Sequence, residues 1–347
     1  MISKELANID ALAIHRVGNK GTEEGIQISK SILRPNDDIN QLLLSYFFTP
    51  FKSNEYYNLH HDTDLQMNEI YNYVSKIFDD PDLLYDQSVN IAKHLYNQSI
   101  HPKVKGGEIY ITYMQDCIVD DETVDAIGIF KSESRETYLK IYSNDNGFDI
   151  KSDAGISLKK LDKGCIVFNL DAENGYLVAI PDNLKRSSEA QFWNDDFLNI
   201  IERTDNYFYT KNVINVCKSF VDERLPDDFT VTRVDQADLL NKTAKFFKEN
   251  DTFSLGDYND EVLQQPEVID SFKAYTKHYE RENDFPFQEE FEISDSAVKK
   301  QSRHFRSVIK LDKNFHIYVH GNRELIVKGF DEESRMHYYQ LYFNEES

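Results

Sequence analysis

Cysteine is scarce in this chain of 347 residues, which has only Cys117, Cys165 and Cys217. An odd number of widely spaced thiols excludes a disulfide framework and leaves no Cys-x-x-Cys knuckle for a metal. No stretch approaches the roughly 18 uninterrupted apolar residues of a membrane helix. The opening "MISKELANIDALAIH" has no basic segment followed by an apolar one, so it does not resemble a secretion signal. A cytoplasmic chain with no membrane partner is expected. Catalytic signatures are missing as well: there is no G-x-S-x-G elbow, no H-E-x-x-H and no reactive-cysteine motif. No internal repeat and no low-complexity segment interrupts the chain.

Acids and aromatic residues are plentiful. Asp and Glu number 61 against 39 Lys and Arg, a net charge of -22, and 23 Phe and 21 Tyr supply core material within a hydrophobic fraction of 40%. A chain this acidic is soluble and repels polyanions at long range, so any contact with nucleic acid must be local. The length fits about two domains.

The apolar pattern predicts an α+β fold of antiparallel sheets with interspersed helices. "IDALAIHRV" and "EGIQISKSIL" alternate around "GNKG" and read as a hairpin. Three helices are expected between 37 and 100, where apolar residues recur at three- and four-residue spacing. "GGEIYITYMQDC", "VDAIGIFKS", "TYLKIYS", "GCIVFNLD" and "GYLVAIPD" read as strands, whereas "SNDNGFDIKSD" reads as a polar loop. Turn residues in "PDNLKRSSEA" mark a boundary, giving an N-terminal α+β domain over 1–182 and, over 183–347, a helical region ending in an antiparallel sheet. Helices are expected in "NYFYTKNVINVCKSFVDERL", in "DQADLLNKTAKFFKEN" and after Pro266. A four-strand meander then closes the chain through "HFRSVIKL", "NFHIYVHG", "ELIVKGF" and "MHYYQLYF".

That meander carries the candidate site. Residues 298–328 hold eight Lys and Arg against two acids, a local charge of +6, directly after "ENDFPFQEEFEISD", which has six acids and no Lys or Arg. A period of two puts Phe305, Ile309, Phe315, Ile317 and Val319 toward a core and sends Arg306, Lys310, His316 and Tyr318 outward. Lys299, Lys300, Arg303, Lys313 and Arg323 flank that outer face. Cations displace counterions from a phosphate backbone and rings stack on bases, so this combination suits nucleic acid. A merely solvated sheet face has the same composition.

Other clusters carry less. His60, His61, Asp62 and Asp64 in "NLHHDTD" are metal-ligand types without metal-ligand spacing, and they read as a solvated loop. Lys159, Lys160 and Lys163 form a second basic cluster. Paired acids at 120–122, 195–196 and 331–333 have no motif around them, and no metal site or cofactor is indicated.

The order of features from "IDALAIHRVGNK" and "SILRP" through "GGEIYITYM" and "AQFWNDDFLNI" to "SVIKLDKNFHIYVHGNRELIVKGFDEESRMHYYQLYF" resembles the bacterial 37-kDa nucleoid-associated protein family. The resemblance runs nearly end to end and is most specific in its last stretch. It implies association with DNA in the bacterial nucleoid and carries no catalytic motif. The expected function is therefore non-enzymatic binding of DNA, taken as double-stranded, through a local C-terminal basic face. One alternative is an acidic interaction protein that engages a DNA-handling enzyme as its protein partner without touching DNA. A second is a metal-dependent nuclease.

Overall fold

A computed structural model describes residues 2–120, 122–145, 147–184, 191–283, 285–301, 307–312, 314–319 and 325–345, without the side chains of 144, 183, 307, 308, 310 and 319. The chain divides into two compact units, 1–203 and 204–347. The strand at 200–202 completes the first unit's sheet.

Strands β1 (Ile2–Ser3), β2 (Asn8–Val17) and β3 (Ile26–Gln27) open the first unit, followed by helix α1 (Asp37–Phe48), β4 (Tyr56–Leu59), α2 (Glu69–Asp79) and α3 (Leu84–Gln98). The remaining strands are β5 (Gly107–Val119), β6 (Glu122–Ser132), β7 (Arg135–Asn144), β8 (Gly147–Ile156), β9 (Lys163–Phe168), β10 (Leu177–Ala179) and β11 (Ile200–Glu202). The three helices expected between 37 and 100 are present. Asn36 and Asn68 cap α1 and α2 by accepting backbone N–H bonds from Ile39 and Tyr71.

A nine-stranded antiparallel sheet runs in the order β11-β4-β10-β9-β6-β5-β2-β3, with β1 on β5. Both of its faces are covered, so alternate residues of one strand feed two cores. Ile127, Ile129, Cys165 and Val167 face α2 and α3, while Ala126, Phe130, Ile166 and Phe168 face α1. Phe47 of α1 stacks on Phe130, with ring centroids 4.0 Å apart. Trp193 is fully buried on the α2–α3 side, where its indole N–H donates to the Gly164 carbonyl at 3.1 Å.

Strands β7 and β8 leave this sheet as a separate two-stranded hairpin. The expected polar loop at "SNDNGFDIKSD" is therefore corrected: only its start is a turn, and 147–156 is a strand paired rung for rung with β7. Phe148, Ile150 and Ile156 recur at strand spacing there, an alternation diluted by the acids between them.

In the second unit, helices Asn206–Ser219, Arg233–Glu249 and Pro266–Asn283 occupy the predicted segments. A short hairpin pairs β12 (Thr252–Ser254) with β13 (Glu290–Glu292). Phe253 stacks on Phe247 and Phe291 inside an aromatic core that also holds Phe220, Tyr258 and Phe272. After helix Asp295–Gln301 come β14 (Ser307–Leu311), β15 (Phe315–Val319), β16 (Ile326–Asp331) and β17 (Met336–Leu341). These are the four expected C-terminal strands. Among the described residues they pair as two separate antiparallel hairpins, β14 with β15 and β16 with β17, rather than as the one four-strand meander expected.

All three cysteines are free and buried. Burial pushes the thiols of Cys117 and Cys217 up to about 12 and raises that of Cys165 too, so they stay protonated at neutral pH and serve as core residues.

Candidate nucleic-acid interface

One helix seats both C-terminal hairpins. Helix Arg233–Glu249 starts at a capping box in which Thr232 and Asp235 satisfy each other's backbone N–H groups. Residues three and four apart share a helix face, and this helix buries two such faces. Leu240, Phe246 and Phe247 enter the aromatic core, while Val234 and Ala237 form a separate cluster with Ile309, packed by Leu311, Ile317, Ile326 and Tyr339. That cluster takes its apolar residues from both hairpins.

The strand register then determines what the first hairpin shows on its other side. Ile309 stands opposite Ile317 and Leu311 opposite Phe315, while Lys310 stands opposite His316 and Val308 opposite Tyr318. Ile309 and Ile317 pack toward the helix, so His316 and Tyr318, the alternate residues of β15, occupy the opposite face. His316 and Tyr318 are exposed there. On the second hairpin the register pairs Gly329 with Tyr338, and a Cβ at Gly329 would collide with the Tyr338 ring. The ring therefore lies over the glycine and is about half exposed, at 48%.

The other expected residues divide as follows. Lys299 and Lys300 are exposed in the last turn of helix Asp295–Gln301, where cations complement the helix dipole, and the Lys300 ammonium lies 5.7 Å from the centre of the Tyr207 ring. Arg303, Arg306, Lys313 and Arg323 lie outside the described residues, as does Phe305. Lys310 and Val319 are placed by strand register alone. Ile309 is buried as expected, at 3%, and Ile317 is partly buried. Phe315 differs, being 66% exposed. It is the first strand residue after the turn and does not join the cluster on the helix, although Leu311, opposite it on the same rung, does.

The histidine-rich loop is held by local contacts. His60 Nε2 lies 3.4 Å from Asp62, His61 Nδ1 accepts the Thr63 N–H, and Asp64 caps a 3-10 turn by accepting the Gln66 N–H. Among the described residues no three His, Cys, Asp or Glu side chains are grouped closely enough to share a metal ion. Burial, with the Asp196 charge beside it, raises the Asp195 carboxyl above the usual carboxylate range.

One charged group is invisible in the sequence pattern. Lys163 is buried rather than exposed with Lys159 and Lys160, and it shares the carboxylate of Glu133 with the equally buried Lys131. Its only trace in the sequence is a lysine at a core-facing end of each of two adjacent strands.

Fold and sequence define a class first: an α+β protein of antiparallel sheets and helices, acidic overall, whose sequence concentrates positive charge near its C-terminus. The family model described as nucleoid-associated protein YejK, NA37, matches residues 13–336, and the chain belongs to that family. No curated protein matches the chain.

Proposed function

We propose that the chain is a non-enzymatic nucleoid-associated protein of the bacterial cytoplasm that binds double-stranded DNA through its C-terminal basic face. The observation that carries this reading is the seating of the first hairpin: its apolar rung Ile309–Ile317 packs on helix Arg233–Glu249, and His316 and Tyr318, alternate residues of the same strand, are exposed. In sequence, Lys299, Lys300, Arg303, Arg306, Lys310, Lys313, Arg323 and Lys328 surround them against Asp312 and Glu324, a local charge of +6. Phosphate contacts from such a strip provide affinity without base readout, the kind of binding a nucleoid protein requires. The acidic remainder confines contact to the strip, because it repels the same backbone.

The test is a titration of purified protein into a fluorescently labelled duplex, with no other protein present, in EDTA and again with Mg or Mn. Binding without cleavage in both conditions is the expected outcome. An intact duplex that never binds would instead favour the acidic interaction protein engaging a DNA-handling enzyme. Metal-dependent cleavage that follows the protein through purification would make it a nuclease.

A further inference from the structure

The hairpin β7–β8 is built with two unlike faces. Each strand has ten residues and the pairing is complete from Arg135–Ile156 to Asn144–Gly147. One face carries the polar residues Tyr138, Lys140, Tyr142, Asp149, Lys151 and Asp153. The Tyr142 hydroxyl donates to Asp149 at 2.9 Å, the Tyr138 hydroxyl donates to Asp153 at 3.4 Å, and the Lys151 ammonium lies 5.2 Å from the Tyr142 ring centre.

The other face is apolar and bare. Leu139 is 67% exposed, Ile141 66%, Ile150 56% and Phe148 83%. Between the root, where Arg135 is tied to Glu108, and the tip, this face has no charged residue. Isolated two-stranded ribbons are marginal in water, and exposed apolar faces of this kind mark contact surfaces.

We propose that this face pairs with the same face of a second copy of the chain, forming a weak two-fold dimer. Two features select that occupant. The first is charge. A copy carrying -22 is repelled by another copy over most of its surface, and this uncharged face lets two of them touch with no like charges opposed. A strongly basic or acidic partner would find no complement on it.

The second is size along the rungs. From root to tip the face presents Thr137 with Ala154, Leu139 with Ser152, Ile141 with Ile150, and Ser143 with Phe148. Two such faces laid antiparallel about a two-fold axis between the second and third of these rungs set each Phe148 over the small Thr137–Ala154 rung of the other copy. The same arrangement sets each Ile141–Ile150 rung over Leu139–Ser152. Along β8 large residues then meet small ones, Phe148 over Ala154 and Ile150 over Ser152, while along β7 Leu139 meets Ile141 as an apolar pair. Strands of about 33 Å, two abreast across about 10 Å, give a footprint of roughly 330 Å² per copy. The total of roughly 700 Å² falls short of the about 1,200 Å² typical of stable complexes, so the dimer is transient at low concentration.

Sedimentation velocity on the full-length protein over a wide concentration range, at low and at high salt, tests this. A monomer–dimer equilibrium that tightens severalfold as salt screens the charge repulsion is expected, and the double variant I141D/I150D should be monomeric throughout with an unchanged melting temperature. A mixture of the single variants L139K and I141D, each monomeric alone, should associate, because the arrangement places these positions opposite each other. A parent chain that stays monomeric at every concentration and salt overturns the proposal. So does a dimer that survives I141D/I150D, since its interface then lies elsewhere.

Discussion

Lys131 and Lys163 stand directly opposite each other across β6 and β9, and one carboxylate holds both: Glu133 Oε1 lies 3.0 Å from the Lys131 ammonium and 2.8 Å from that of Lys163. Lys131 also donates to the Lys105 carbonyl at 2.6 Å. Burial lowers the pKa of Lys131, and Glu133 acts against that shift. Removing the carboxylate takes away the anion that both buried ammonium groups share, and breaking a buried ion pair costs about 3–5 kcal/mol. Glu133→Ala should therefore move the chemical denaturation midpoint strongly, while Lys159→Ala, at an exposed position in the same basic cluster, leaves it in place. Equal midpoints for the two variants would mean that the network contributes nothing.

The seating of the C-terminal hairpin depends on Ile309. Leu or Ile to Ala in a core costs about 2–5 kcal/mol, and the small cluster around Val234 and Ala237 has little else to fill the space. Ile309→Ala should expose the region to limited proteolysis and weaken DNA binding at the same time. If the variant is protease-resistant and binds like the parent, the helix does not hold the interface in place.

His15 makes the first unit sensitive to acid. Its Nδ1 accepts the Ser29 N–H at 3.1 Å, so the proton is assigned to Nε2, which donates to Ser88 Oγ at 2.9 Å. Burial lowers its pKa below the ordinary 6.5, so on acidification the unfolded chain takes up a proton before the folded one does. Stability from the neutral ring is present above about pH 6.5 and is lost as the pH falls through the lower folded value. Denaturation midpoints measured from pH 7.5 to 5 should decline below about 6.5, and in His15→Gln that part of the decline should be absent. An identical decline in both proteins would assign it to other groups.

How much was legible in the sequence depended on whether a residue obeyed its local period. "DQADLLNKTAKFFKEN" and the rung of Ile309 with Ile317 were readable because 3.6 and 2.0 periodicities separate core from surface. The strand 147–156 was not, because its apolar face stays exposed and Asp149, Lys151 and Asp153 fill alternate positions, which gives a polar average. Lys163 reads as one more member of a basic cluster for the converse reason: Lys131 lies on a neighbouring strand and Glu133 just beyond its end, and contacts between strands leave no local signal. Phe315 obeys the period and is still exposed while Leu311 on the same rung packs toward the helix, because period assigns a face and not which of two paired strands the support covers.

The central claim is that phosphate contacts come from the C-terminal strip, and the salt dependence of duplex binding measures it most directly. Contacts from Lys299, Lys300, Arg303, Arg306 and Lys310 predict that log K falls against log salt with a slope of roughly -4 to -5. Changing Arg303, Arg306 and Lys310 to Glu should flatten that slope by nearly three contacts' worth. Changing Lys242, Lys245 and Lys248, which are exposed on helix Arg233–Glu249, should leave it unaltered. A parent protein with no salt-sensitive binding, or two triple variants with the parent's slope, would contradict the account.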